Sequence, residues 1–303
     1  MKILLFIIFF NLIVIDCVNP PRSNKFDPAN SNKASLEGHT YMYDNSPLSS
    51  VIVSLILDSI ETEVDISDSA GNFEFEHINP GIYEVRAEAK YFASIVFYPE
   101  SLSAGAQFND FNIYFYTFDF EDDTPGDPSP YGFRPVSGSW LISKDSSAPD
   151  KHSAGYVYCG KAESGSPQAI SINEGETDNF KFETNFKVSG SSGSDWSAGI
   201  IFMYQDSQNY YLLRAVSDSI NLYKVVDGII DSLRIKCVHF SNNNWYRVEV
   251  QCSNSYYVLR LNNEYLYAAL DKTLIKGSVG LYVASKNSEE ISVSFDDVTI
   301  QFK

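Results

Sequence analysis

The chain has 303 residues, enough for about two domains. Its 15% aromatic content, with 20 Tyr and 21 Phe, excludes disorder as the default state. Its 39 acidic and 22 basic residues leave a net charge of -17, which excludes nucleic acid, whose phosphates need Lys and Arg in place of counterions, and electrostatic docking on anionic lipid.

Lys2 is followed by an apolar run from Ile3 to Ile15, broken only by Asn11. That is the layout of a secretory signal over residues 1–17, and it predicts a secreted, extracellular or cell-envelope protein. The run is too short for a spanning helix of about 20 residues, and no later stretch is long and apolar enough. Val14-Ile15-Asp16-Cys17 loosely matches a bacterial lipoprotein box, with Asp16 where a small residue is usual. Three fates stay open: lipidation of Cys17, cleavage just after it, or an uncleaved anchor. Membrane contact is expected only through such an N-terminal lipid or anchor.

Residues 18–34 read as a flexible tether, with two prolines followed by Ser, Asn, Lys and Asp. From 35 to 116 short strands alternate with turns. Val51 to Ile56 is a mostly apolar strand, Phe73-Glu74-Phe75-Glu76 puts Phe inward and Glu outward, and Tyr83 to Ala87 alternates in the same way. Asp68 to Asn72 and Asn79-Pro80-Gly81 are the turns between them. Gly38, Pro47-Leu48, the Asp68-to-Phe75 run and Pro80-Gly81-Ile82-Tyr83-Glu84-Val85 together resemble the carboxypeptidase regulatory-like, transthyretin-like β-sandwich and the B-type repeats of collagen adhesins. The resemblance implies a stalk or spacer.

Acids and prolines cluster from Asp119 to Pro130. Strands are then predicted at Phe180–Val188, Gly199–Gln205, Tyr210–Val216, Ser219–Val226, Trp245–Cys252, Tyr256–Leu261, Gly277–Ala284 and Ile291–Phe302, which makes 117–303 a larger sandwich. Phe118-Asp119-Phe120-Glu121, Gly138 to Ile142, Ser194 to Phe202, Asn209 to Arg214, Leu222 to Val225, Trp245-Tyr246, Gly277 to Tyr282 and Phe295 to Val298 resemble, in that order, the laminin-G-like, concanavalin-like jelly rolls of sugar-processing proteins. The fold expected is therefore all-β: a small Greek-key sandwich, then a concanavalin-like jelly roll.

Four cysteines, Cys17, Cys159, Cys237 and Cys252, exclude a dense disulfide framework. A hairpin closing at Ser241 to Asn244 would set Cys237 beside Val248 and out of reach of Cys252, so these cysteines read as small buried hydrophobes.

Catalysis lacks parts. Concanavalin-like hydrolases need two carboxylates on one strand face, and the Glu-x-Asp-x-x-Glu run of the family 16 enzymes is absent. Glu74 and Glu76 read as solvent-facing, and Glu183 and Glu249 stand alone between apolar neighbours. The four histidines are scattered. Asp119 and Glu121 on the first strand of the jelly roll, with Asp296 and Asp297 on the last, would meet if those strands pair, and their mutual repulsion makes a structural calcium ion one remedy and full exposure to water the other.

For ligand binding, Tyr210, Leu212 and Arg214 share a strand face. An Arg on a mostly apolar face needs a carboxylate or a ligand, and Asp195 is the nearest motif partner, so an internal Arg–Asp brace is the alternative. Trp196, in a Gly/Ser-rich stretch, is expected as an exposed stacking platform, and Trp140 and Trp245 as core. The leading expectation is non-catalytic recognition of a glycan. A sugar hydrolase and a structural or adhesive module binding a cell-surface protein are the alternatives.

Overall fold

The computed structural model describes residues 32–149, 155–162, 168–189, 196–286 and 290–302, and every regular element among them is a strand. The signal, the tether up to residue 31, Cys17 and Asp195 lie outside the described residues. The N-terminal strands are β1 (Ala34–Met42), β2 (Ile52–Leu57), β3 (Ile60–Ile66), β4 (Asn72–Ile78), β5 (Gly81–Glu88), β6 (Ile95–Leu102) and β7 (Gln107–Phe115). They form two sheets, β4-β1-β7 and β3-β2-β5-β6. Phe73 and Phe75 enter the core while Glu74 and Glu76 point to solvent, as alternation along a half-buried strand requires.

The remaining strands are β8 (Thr117–Phe118), β9 (Arg134–Ser137), β10 (Ser139–Lys144), β11 (Tyr156–Ala162), β12 (Gln168–Ile172), β13 (Phe180–Ser189), β14 (Trp196–Asp206), β15 (Asn209–Val216), β16 (Ser219–Val226), β17 (Ile229–Cys237), β18 (Trp245–Ser253), β19 (Tyr256–Leu261), β20 (Glu264–Leu270), β21 (Ser278–Ser285) and β22 (Ile291–Phe302). One sheet of eight runs β10-β11-β22-β13-β18-β19-β20, with β8 on β22, and one of seven runs β17-β16-β15-β14-β21-β12-β9. The two pack face to face as a β-sandwich. Phe182, Phe186 and Phe295 from one sheet and Ile200, Phe202 and Tyr211 from the other are fully buried between them.

The hairpin expected at Ser241 to Asn244 does not exist, because β17 and β18 belong to different sheets. Cys159 and Cys252 are buried, but Cys237 lies exposed on the edge strand β17 rather than in a core, and all three are free. Trp140 is core, at 3% exposure. Trp245 is not: it is half-buried, with the Lys187 ammonium 5.2 Å from its ring centre.

The two sandwiches share one hydrophobic cluster. Phe118 is central to it. Its ring packs on Phe92 at 4.9 Å, Phe133 at 5.4 Å and Tyr43 at 5.7 Å. Tyr91 stacks on Tyr131 at 4.8 Å, and Tyr43 meets Phe302 edge-on at 5.4 Å. Backbone bonds Ala93 N–H to Thr117 O and Phe302 N–H to Tyr43 O cross the same seam. An aromatic seam of this kind joins the modules as one body, where a tethered stalk would share few contacts. Calorimetry of the protein is expected to show a single transition, and Phe118→Ala to destabilise it by about 3–5 kcal/mol.

Asp271, between β20 and β21, ties the sandwich together. It accepts hydrogen bonds from the Tyr211 hydroxyl (2.8 Å), Lys224 Nζ (2.9 Å) and the Thr273 N–H (2.9 Å). Burial alone would raise its pKa, but the bonds from Thr273 and Lys224 outweigh it and hold the carboxyl at about 2, below the ordinary 3.8. The unfolded chain therefore takes up the proton first as pH falls. The stabilisation is full above about pH 4 and vanishes towards pH 2. Asp271→Asn is expected to cost about 1–3 kcal/mol at pH 7, with the difference from wild type shrinking in denaturant titrations at pH 2–3.

Candidate functional site

Strand alternation gives the seven-stranded sheet two faces. On β15, Tyr211 and Leu213 enter the core, so Tyr210, Leu212 and Arg214 face the other way. Register extends that face across the sheet. Tyr210, Leu212 and Arg214 lie opposite Val225, Tyr223 and Asn221 of β16. Arg214 and Leu212 lie opposite Gly199 and Ile201 of β14, and Gly199 lies opposite Tyr282 of β21. The result is a second hydrophobic cluster, separate from the core, built from Ile170, Ile172, Ile201, Tyr204, Tyr210, Leu212, Val225, Tyr282 and Ala284, with Tyr223 packed against it. None of the described strands pairs or stacks as a further sheet on this face, yet the cluster's own residues are at most 9% exposed, and Tyr223 and Arg214 beside them are partly exposed. At its edge, Ile230 and Ile235 of β17, opposite Val225 and Asn221, are 65% and 67% exposed.

Arg214 is set among these tyrosines. Its guanidinium lies 4.5 Å from the Tyr223 ring centre, and Nη2 donates to the Tyr223 hydroxyl at 2.9 Å. A bond with Arg214 also bears on Tyr282, whose hydroxyl burial pushes up to about 12. Arg214 Nε and Asn221 Oδ1 are buried, and neither has a hydrogen-bond partner among the described residues. No described Asp or Glu is bonded to Arg214. Gly199, between Arg214 and Tyr282 in register, has no space for a Cβ, which would come within 2.0 Å of the Leu213 carbonyl oxygen.

Tyr210 and Arg214 are therefore on one face, as strand alternation predicts. Trp196 is not with them. It is 1% exposed, on the core side of β14, edge-on to Phe240 at 6.1 Å, so the exposed stacking platform expected there is corrected to a core residue. β14 starts at Trp196 and is buried from that first residue. Tyr204, Tyr223, Tyr282 and Asn221 escaped the sequence reading. Tyr223, Tyr282 and Asn221 alternate correctly along their own strands, but only cross-strand register brings them near Arg214. Tyr204 reaches the face through a register shift at Met203, whose φ is 49°, which its strand's alternation does not predict.

The four acids proposed for calcium do come together. β8 pairs with β22 through Phe118 opposite Val298, which sets Asp119 and Glu121 near Asp296 and Asp297. Burial, then the charges of Asp297, Asp119 and Glu121, push the Asp296 carboxyl up to about 9. The cluster has internal partners as well. Asp297 N–H donates to Asp296 Oδ1, Asn185 Nδ2 to Asp297 Oδ2, and the Gly155 and Tyr156 N–H groups to Glu121. Among the described residues no group of three or more His, Cys, Asp or Glu side chains is spaced to hold a metal ion, so a calcium ion here would need carbonyl or water oxygens too.

The outer face of the eight-stranded sheet is polar and internally paired. Glu183 and Glu249, distant in sequence, lie directly opposite each other on β13 and β18. Arg247 and Lys181 bind Glu183 at 2.6 and 3.1 Å, and Arg260 pairs with Glu249. Burial would raise Glu183, but its bonds from Arg247 and Lys181 hold it below the usual carboxylate range. A cleft of about 440 Å³ at the seam, lined by Tyr43, Tyr131, Phe133, Arg134, Asn173 and Glu174, also satisfies itself. Arg134 pairs with Glu174, and Asn173 bonds to Tyr43, Gly132 and Gly175.

No protein-family model and no curated protein matches the chain. Solved structures similar to it include carbohydrate-binding module CBM66 from Bacillus subtilis, 17% identical with TM-score 0.46 over 56% of this chain and 95% of that one. The Bacteroides ovatus mixed-linkage glucan GH16, in complex with its product, is 10% identical with TM-score 0.45 over 61% and 99%. The cellulose-induced protein Cip1 is 13% identical with TM-score 0.44 over 62% and 97%. At such scores these likenesses give no residue of this chain a role.

Calcium at the acidic cluster stays a proposal with a direct check. Millimolar calcium is expected to raise the melting temperature by mass action, a chelator to reverse the gain, and Asp296→Asn to abolish it. A melting temperature indifferent to both additions would remove calcium from the account.

Proposed function

We propose that this protein is exported and binds carbohydrate, without transforming it, on the outer face of the seven-stranded sheet. The observation that carries the reading is the tyrosine face around Arg214, apolar and aromatic yet furnished with polar groups that no described residue satisfies. Sugars offer that combination in reverse: C–H surfaces that pack on aromatic rings, and hydroxyls that meet isolated donors and acceptors. The other outer face lacks this character, because its charges are paired with one another. The N-terminal sandwich, which resembles carboxypeptidase regulatory-like modules, then acts as a rigid mount for the jelly roll.

The exposed isoleucines at the β17 edge favour a second reading, contact with another protein. A glycan array with the full chain separates the two. Binding to at least one polysaccharide is expected, weakened about threefold to tenfold by Tyr223→Ala with little change in melting temperature. A blank array together with a captured protein partner would replace the carbohydrate reading by the adhesive one.

A further inference from the structure

The sugar reading leaves the chemical class of the glycan open, and the charge around Arg214 narrows it. The protein carries a net charge of -17, and several cations of the jelly roll are matched to acids. Lys181, Arg247 and Arg260 hold Glu183 and Glu249, Lys187 holds Asp145, Lys224 holds Asp271, and Arg134 holds Glu174. Arg214 differs. Its described neighbours are the neutral groups Tyr223, Tyr282, Tyr210 and Asn221, and its Nε is buried with no partner among the described residues.

A guanidinium with a buried unbonded N–H, set in an apolar surface, carries a desolvation cost that an anion would offset. The fork of an arginine side chain matches a carboxylate or a sulfate oxygen pair better than it matches a neutral hydroxyl. The excess of acid over the rest of the molecule repels polyanions generally, so an anionic glycan could be held only where a local cation lacks its own acid. We infer that this face selects an acidic polysaccharide, with the sugar's anionic group on Arg214 and a ring face on the partly exposed Tyr223. This rests on the carbohydrate reading above and deepens it.

The test is affinity electrophoresis of the full chain in gels containing polygalacturonate, its neutral counterpart galactan, dextran sulfate or dextran. Retardation by an anionic polymer and not by its neutral counterpart supports the inference, and the polygalacturonate and dextran sulfate gels tell carboxylate from sulfate. Arg214→Met, which keeps the stem and removes the charge, is expected to weaken anionic binding about tenfold or more. Arg214→Lys, which keeps the charge without the fork, should lose a smaller part. Melting curves establish that each variant is folded, and the Lys variant carries the comparison if the Met variant is not. Equal binding to charged and neutral polymers, or anionic binding unchanged in both variants, overturns selection by Arg214 and leaves the carbohydrate reading standing. Galactan or dextran bound with no anionic polymer bound overturns it too. No retardation by any of the four, together with a blank glycan array, overturns both.

Discussion

A strand in a sandwich has one side for the core and one side away from it, and the seven-stranded sheet is apolar on both. Sheets of that kind are ordinarily covered twice, as parallel sheets are by helices. Here the inner side packs on the eight-stranded sheet, while the outer side carries a second cluster on which no described strand is layered. The functional reading follows from this asymmetry between the two outer faces, one aromatic and polar-starved, the other a ladder of paired charges.

The aromatic seam gives that face its setting. Phe118 sits on the two-residue strand β8, which is too short to be held by its own ladder. It is fixed instead by Phe92, Tyr43 and Phe133 around it and by its pairing with β22. The same pairing draws the acids of the first and last strands together, so that seam and acidic cluster share one cause. A stalk on a loose tether would decouple the two sandwiches, whereas burying aromatic rings between them makes their relative placement part of the folded state.

Much of this was legible in the chain. Ser219–Val226, Tyr256–Leu261 and Ile291–Phe302 are strands to the residue, because turn residues bracket strongly alternating runs. Edge strands were harder. Every residue of β17 but one is exposed, so it has no apolar alternation to read. Trp196 was misplaced because its Gly/Ser neighbours signal a loop, while burial depends on which sheet the following strand joins. The pairing of Glu183 with Glu249 was invisible for the same reason: each looked solitary along its own strand.

The amino-acid sequence by itself determined that the protein is all-β, that its texture changes near residue 116, and that Tyr210 and Arg214 share a face, since these follow from local period and turn chemistry. Only the tertiary structure decided what shares that face with Arg214, which acids its neighbouring cations already hold, and that the two modules are joined by a seam. Those are matters of register between strands far apart in the chain, and a strand's own alternation says which residues point together, not which distant residues they meet.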